Sequence, residues 1–189
     1  MQTLGISDST PRTESRLKSL FWPTIRHETD VDYISQQGFW ICILAAAGTL
    51  VVDLLQGSLV AGLFEAIFFL LGGVGVRARS RFAAVTVFLA SLLSSLVLQR
   101  LTGSGFSIPR IIVLALLLAN VRAIWLSAMW RGSATEPPPV PLNETFLDKL
   151  SDRLPIYLWP KTKWLFYVFA VVENVLLFVV LFAPRNMLS

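Results

Sequence analysis

Five polar residues stand inside long apolar runs of this sequence, and their types could do chemistry: Asp53, Glu65, Asn120, Arg122 and Glu173, with Asn174 beside the last. A charged side chain at the centre of a bilayer costs about 2.5–3.5 kcal/mol on insertion scales. Groups kept at that cost are paired with one another, or they line a path for a proton, an ion or a substrate. Glu65, Arg122 and Glu173 are the set for such a path. The competing reading is structural, a buried Arg122–Glu173 pair that fixes helix register. Arg122 lies about eight residues from one end of its apolar run, and Glu173 about nine from the matching end of its own, a depth of ~12–14 Å for each. Asn120 and Asn174 fall near the same layer. Asp53 belongs at a membrane interface, where Arg100 and Arg110 are its partners by depth. Glu65 has no cation at its level and is read equally as a structural and as a functional group.

Other chemistries lack their residues. No apolar run joins a serine to a histidine or lysine base, as serine-nucleophile catalysis needs. Asp53 is the only aspartate within a run, which leaves an aspartyl protease without its pair. A His-Glu-x-x-His motif and a phosphate-binding Gly-Lys-[Ser/Thr] loop are both absent. The single histidine, His27, and the single cysteine, Cys42, cannot build a multi-ligand zinc site or an internal disulfide. Cys42 sits in an apolar run and is expected to be a buried thiol. His27-Glu28-Thr29-Asp30-Val31-Asp32 is expected to be a solvated cap at the entry to a span. Gly72-Gly73-Val74-Gly75 ends an apolar run, so packing or a kink is expected there rather than a phosphate cradle. No catalytic, cofactor or metal residue is assigned, and no stretch resembles a family of known activity.

The elements that must position these residues follow from composition. The chain has 189 residues, 54% hydrophobic and 15% charged, with a mean hydropathy of +0.65. Soluble domains carry roughly a quarter charged residues. The apolar excess is gathered into blocks long enough to cross a ~30 Å hydrocarbon core. An ordinary soluble enzyme, a disordered chain and a disulfide scaffold are excluded. No apolar core of a secretory leader stands within 1–37, so the first apolar segment is expected to remain in the mature chain.

The spacing predicts an all-α membrane helix bundle of about five transmembrane helices, at 38–55, 59–76, 82–98, 108–130 and 164–183. Gln56-Gly57-Ser58 breaks a run of about 39 residues that would otherwise reach ~58 Å. Ala84, Ser91 and Ser95 share one face of the third span, suited to close helix approach. Two short amphipathic interfacial helices are also expected. The first, at about 11–22, starts at Thr10-Pro11 and stops before Pro23. The second, at about 144–154, is capped by Asn143, stapled by Leu142 and Leu147, and ended by Pro155. A stiff polyproline segment, Pro137 to Pro141, precedes it. Arg16-Leu17 and Arg153-Leu154 each lead by four residues to a Trp-Pro pair, which sets Trp22 and Trp159 as interfacial anchors.

The basic residues are lopsided. Segments 1–37, 77–81 and 131–163 hold twelve of the 16, while the opposite loops and the tail hold Arg100, Arg110 and Arg185. The positive-inside rule then puts the N-terminus in the cytoplasm and the short 184–189 tail outside, in a bacterial inner membrane. Arg77, Arg79 and Arg81 are expected to meet anionic lipid headgroups, and nucleic acid is not an expected partner. The functional expectation is a non-enzymatic scaffold, accessory subunit or partner-binding protein, self-association included. The alternative is a subunit of a small oligomeric transporter or channel using Glu65, Arg122 and Glu173.

Overall fold

The computed structural model describes residues 21–22, 24–25, 28–103, 105–130 and 146–184. Among them are five helices: α1 (Glu28–Leu55), α2 (Leu59–Arg77), α3 (Arg81–Thr102), α4 (Ile108–Trp130) and α5 (Phe146–Phe182). All five are long and apolar enough to cross a membrane. The fold is therefore all-helical, and its helices suit insertion as a multi-pass protein.

The α1–α2 hairpin turns as its sequence requires. Gly57 takes φ +76°. The Gly57 N–H donates to the Leu54 carbonyl at 3.1 Å and the Ser58 N–H to the Asp53 carbonyl at 2.8 Å, so the last carbonyls of α1 are satisfied. The α2–α3 turn repeats this pattern with an unusual residue. Arg79, not a glycine, adopts φ +56°, while the Ser80 N–H donates to the Gly75 carbonyl at 2.9 Å. Ser80 then caps α3, accepting from the Ala83 N–H. At the other end of α3, Gly103 closes the helix in the left-handed region, at φ +67°.

The helices pack as a ring in the order α1, α2, α5, α3, α4, with α2 and α3 also touching across it. The helix ends at Glu28, Arg77, Arg81 and Trp130 form the near end, and the turns at 56–58 and 103–107 the far end. The glycine run of α2 is the hub. A Cβ on Gly72 would lie 2.5 Å from Val87, one on Gly73 would lie 2.9 Å from Cys42 Cβ, and one on Gly75 would overlap Trp159 and Ala83. Close packing, as expected, is what the glycines provide, and α1, α3 and α5 all approach α2 there. Cys42 is buried in this core with Phe68, Val87 and Phe166. The outer faces carry exposed apolar side chains such as Leu44, Val60, Ile108 and Val168.

Two expectations change, and a third falls outside the described residues. First, α1 begins at Glu28 rather than near 38. Hydropathy marks where lipid begins, and a helix can continue into water. Second, the interfacial helix expected at 144–154 is not separate. Helix α5 runs unbroken for 37 residues, with Pro155 and Pro160 inside it, a length of ~55 Å. Each internal proline removes one helical hydrogen bond. Packing offsets the loss, because Pro155 is fully buried and Trp159 fits against Gly75. Third, the helix expected at 11–22 lies outside the described residues apart from Phe21 and Trp22, so neither interfacial helix is among the five. The polyproline segment and Asn143 also lie outside them.

Candidate functional site

The polar residues form two groups at different depths. The near-end group is built on Arg77. The last turn of α2 carries this side chain into the α1–α2 seam, where it is 6% exposed. Its Nη1 lies 2.6 Å from Asp32 Oδ1 and donates to Ser35 Oγ at 2.8 Å. Its Nη2 donates to Asp32 Oδ2 at 3.0 Å. The pairing is two-pronged, the geometry that a planar guanidinium and a carboxylate favour. Arg79 adds a bond from Nη2 to Asp32 Oδ1 at 3.2 Å. Asp32, half-exposed at the entry to α1, is the acceptor for two arginines. Arg77, expected at lipid headgroups, is committed inside the bundle.

Asn120 joins α4 to α1 slightly deeper. Its Nδ2 donates to the Ile34 carbonyl at 2.8 Å. The contact depends on Gly38, one turn on from Ile34, where a Cβ would overlap the Asn120 amide. A side chain at 38 would screen that carbonyl, and glycine leaves it open.

Arg122 turns to the near end. Its guanidinium stands over the exposed Trp22 ring, 4.7 Å from the centroid. It does not meet Glu173. The reason lies in the helix order: α4 packs on α1 and α3, whereas α5 packs on α2 and α3. The consecutive spans α4 and α5 are not packed neighbours here, and α3 packs on both. Arg100 is likewise not with Asp53. It donates to the carbonyls of Val180, Leu181 and Ala183, so it caps the C-terminal end of α5, where a cation is favoured. Trp159, expected as an interfacial anchor, turns inward and packs on Phe166, with ring centroids 5.6 Å apart.

The second group is acidic. Phe64 of α2 stacks on Phe169 of α5, centroids 4.6 Å apart. Glu65 follows Phe64, and Glu173 is one turn beyond Phe169. Glu173 is 6% exposed. Asp53 rests against Gly62, whose added Cβ would lie 2.8 Å from its own, and its Oδ2 is buried without a hydrogen bond. Asn174 donates back to the Ala170 carbonyl of its own helix at 2.8 Å. Among the described residues, no group of three His, Cys, Asp or Glu converges as a metal-binding set.

Of the expected network, the structure puts Glu65 and Glu173 on the packed pair α2 and α5, and Asn120 and Arg122 meet α1 and Trp22 instead. Asp32, Ser35 and Arg77 were missed, although Asp32 and Arg77 stand at the same end of a hairpin folded at Gly57. Comparisons with protein-family models, with curated proteins and with solved structures found no match to this chain.

Proposed function

We propose that the protein is a non-enzymatic scaffold, accessory subunit or partner-binding component of a bacterial inner membrane, its N-terminus in the cytoplasm and its C-terminus outside. One observation carries the reading: its buried donors are spent on its own helices. Arg77 holds Asp32 and Ser35, and Asn120 holds Ile34. Such contacts fix helix positions and give a rigid body with apolar outer faces. The asymmetry of basic residues supports the orientation. The test is purification of the full chain in mild detergent, from wild-type cells and from cells carrying Glu65→Gln/Glu173→Gln. A stoichiometric complex retained by the double variant is expected. Recovery of the protein alone from both would overturn the scaffold reading.

A second reading is favoured by one specific observation. Glu173 is buried one turn beyond the Phe64–Phe169 contact, which joins its helix to the one that carries Glu65. A subunit that passes protons or monovalent cations would use such a pair. Arg122 drops out of this reading, because it stands over Trp22. Proteoliposomes loaded with a pH-sensitive dye would show flux that Glu173→Gln abolishes. Tight liposomes for the wild-type protein would remove this alternative.

A further inference from the structure

The near end carries a second set of cations that the Asp32 cluster does not use. Arg81, at the start of α3, is exposed, and its guanidinium stands over Trp125 of α4 at 5.4 Å. Lys161 of α5 is exposed and stands over Tyr157 at 3.6 Å. Lys163 lies one turn before Tyr167, whose ring meets Phe82, the neighbour of Arg81, at 4.8 Å. Lys161 and Lys163, two residues apart, take different sides of α5, so the three cations are spread around the near end of α3 and α5. Asp30 and Asp32 lie on α1, which packs on α2 and α4 and only marginally on α5, while Asp148 and Asp152 belong to the first turns of α5, two turns or more before Lys161.

We propose that this end of the bundle, with Arg81, Lys161 and Lys163 as its cations, binds anionic phospholipid headgroups. The aromatic rings beneath Arg81 and Lys161 hold the charges in place and leave their outer sides to a phosphate. The surroundings decide between a lipid and a soluble acidic partner. Ile156, Trp164, Leu165 and Val168 are exposed on the same stretch of α5. A phospholipid meets both halves of that surface, its phosphate on the cations and its acyl chains on the apolar residues. Trp and Tyr at this level suit the headgroup region. The set differs from the arginine turn as the sequence presents it, because Arg77 and Arg79 are taken by Asp32 and Arg81 alone faces outward.

The test uses the full chain reconstituted in phosphatidylcholine bilayers, with spin-labelled phosphatidylglycerol or phosphatidylcholine reporting the lipids held at the protein surface. The wild-type protein should prefer phosphatidylglycerol several-fold. Lys161→Gln, a change at an exposed side chain, should lower that preference by about fivefold or to the point of no preference. Arg81→Gln/Lys161→Gln/Lys163→Gln should remove it. Arg110→Gln, at the far end, should keep it. Equal association of the two lipids with the wild-type protein would overturn the proposal. So would wild-type selectivity in the triple variant, or an Arg110→Gln loss as large as the triple variant's, which would point to overall charge rather than to this end of the bundle.

Discussion

Arg77 and Asp32 form an unequal pair: the guanidinium is 5% exposed and the carboxylate 46%, at 2.6 Å. The inequality decides which partner can be removed. Asp32→Asn leaves a buried positive charge with weakened partners, and stranding one member of a buried pair costs about 3–5 kcal/mol. Half-exposure of the carboxylate lowers the expected loss to about 2–3 kcal/mol. Arg77→Met keeps most of the apolar stem and leaves Asp32 free to meet water. Thermal unfolding in detergent should rank Asp32→Asn as the more damaging change. The reverse order would mean that Arg77 acts mainly through packing.

The two glycines of the α1 interior offer an internal control. A Cβ at Gly38 overlaps the Asn120 amide, whereas one at Gly48 meets nothing within 4 Å. Gly38→Ala should therefore destabilise by about 1–3 kcal/mol, the usual cost of overpacking, and Asn120→Ala in the same chain should return part of it. Gly48→Ala should be neutral, or stabilising by up to about 1 kcal/mol through helix propensity. Equal effects at the two positions, read from melting in one detergent, would refute the close crossing of α1 and α4.

Arg79 combines a backbone cost with a charge contact. Its φ of +56° is one that residues with a Cβ adopt at a cost, and its Nη2 reaches Asp32 at 3.2 Å. Both Arg79→Ala and Arg79→Gly remove the contact, so the difference between them isolates the backbone. Arg79→Gly should be the more stable of the two by about 1 kcal/mol. If Ala matched Gly, the turn would have to relax out of the left-handed region once the side chain was gone.

Much of this arrangement was legible in the chain, and the rest was hidden for identifiable reasons. Five apolar blocks became five helices, and Gly57 turned where the α1–α2 run had to break. The glycines of 72–75 pack closely because small residues at a helix end are where other helices can approach. Hydropathy placed the start of α1 at the lipid edge, ten residues inside the helix that begins at Glu28. Pro155 reads as a stop because the proline penalty is local, while its burial and the seat for Trp159 on Gly75 of α2 are set by tertiary packing. Depth matching found the wrong pair for the same reason. It assumes that consecutive spans touch, which holds for α1 and α2 across a three-residue gap and fails for α4 and α5 across residues 131–145. Applied to the short hairpin, the same reasoning leads to Asp32 and Arg77.

The ring order makes opposite predictions for two pairs that share Glu173. Helices α4 and α5 are held apart by α3, and Arg122 stands over Trp22, so Arg122→Leu and Glu173→Leu should act independently. Their effects should add within about 0.3–0.5 kcal/mol in a double-mutant cycle. Glu65 and Glu173 stand on the two helices joined by the Phe64–Phe169 contact. Two carboxyl groups that share one seam influence each other's ionisation, so Glu65→Gln and Glu173→Gln should not add. Each single change should leave the protein at least as stable as the wild type, and the double variant should gain little over the better single. The cycle is measured by thermal unfolding at neutral pH in one detergent. Strong coupling between Arg122 and Glu173, with additivity between Glu65 and Glu173, would require α5 to lie against α4 instead of α2. The contact between Phe64 and Phe169 would then be lost as well, and Phe169→Ala would no longer weaken the α2–α5 seam.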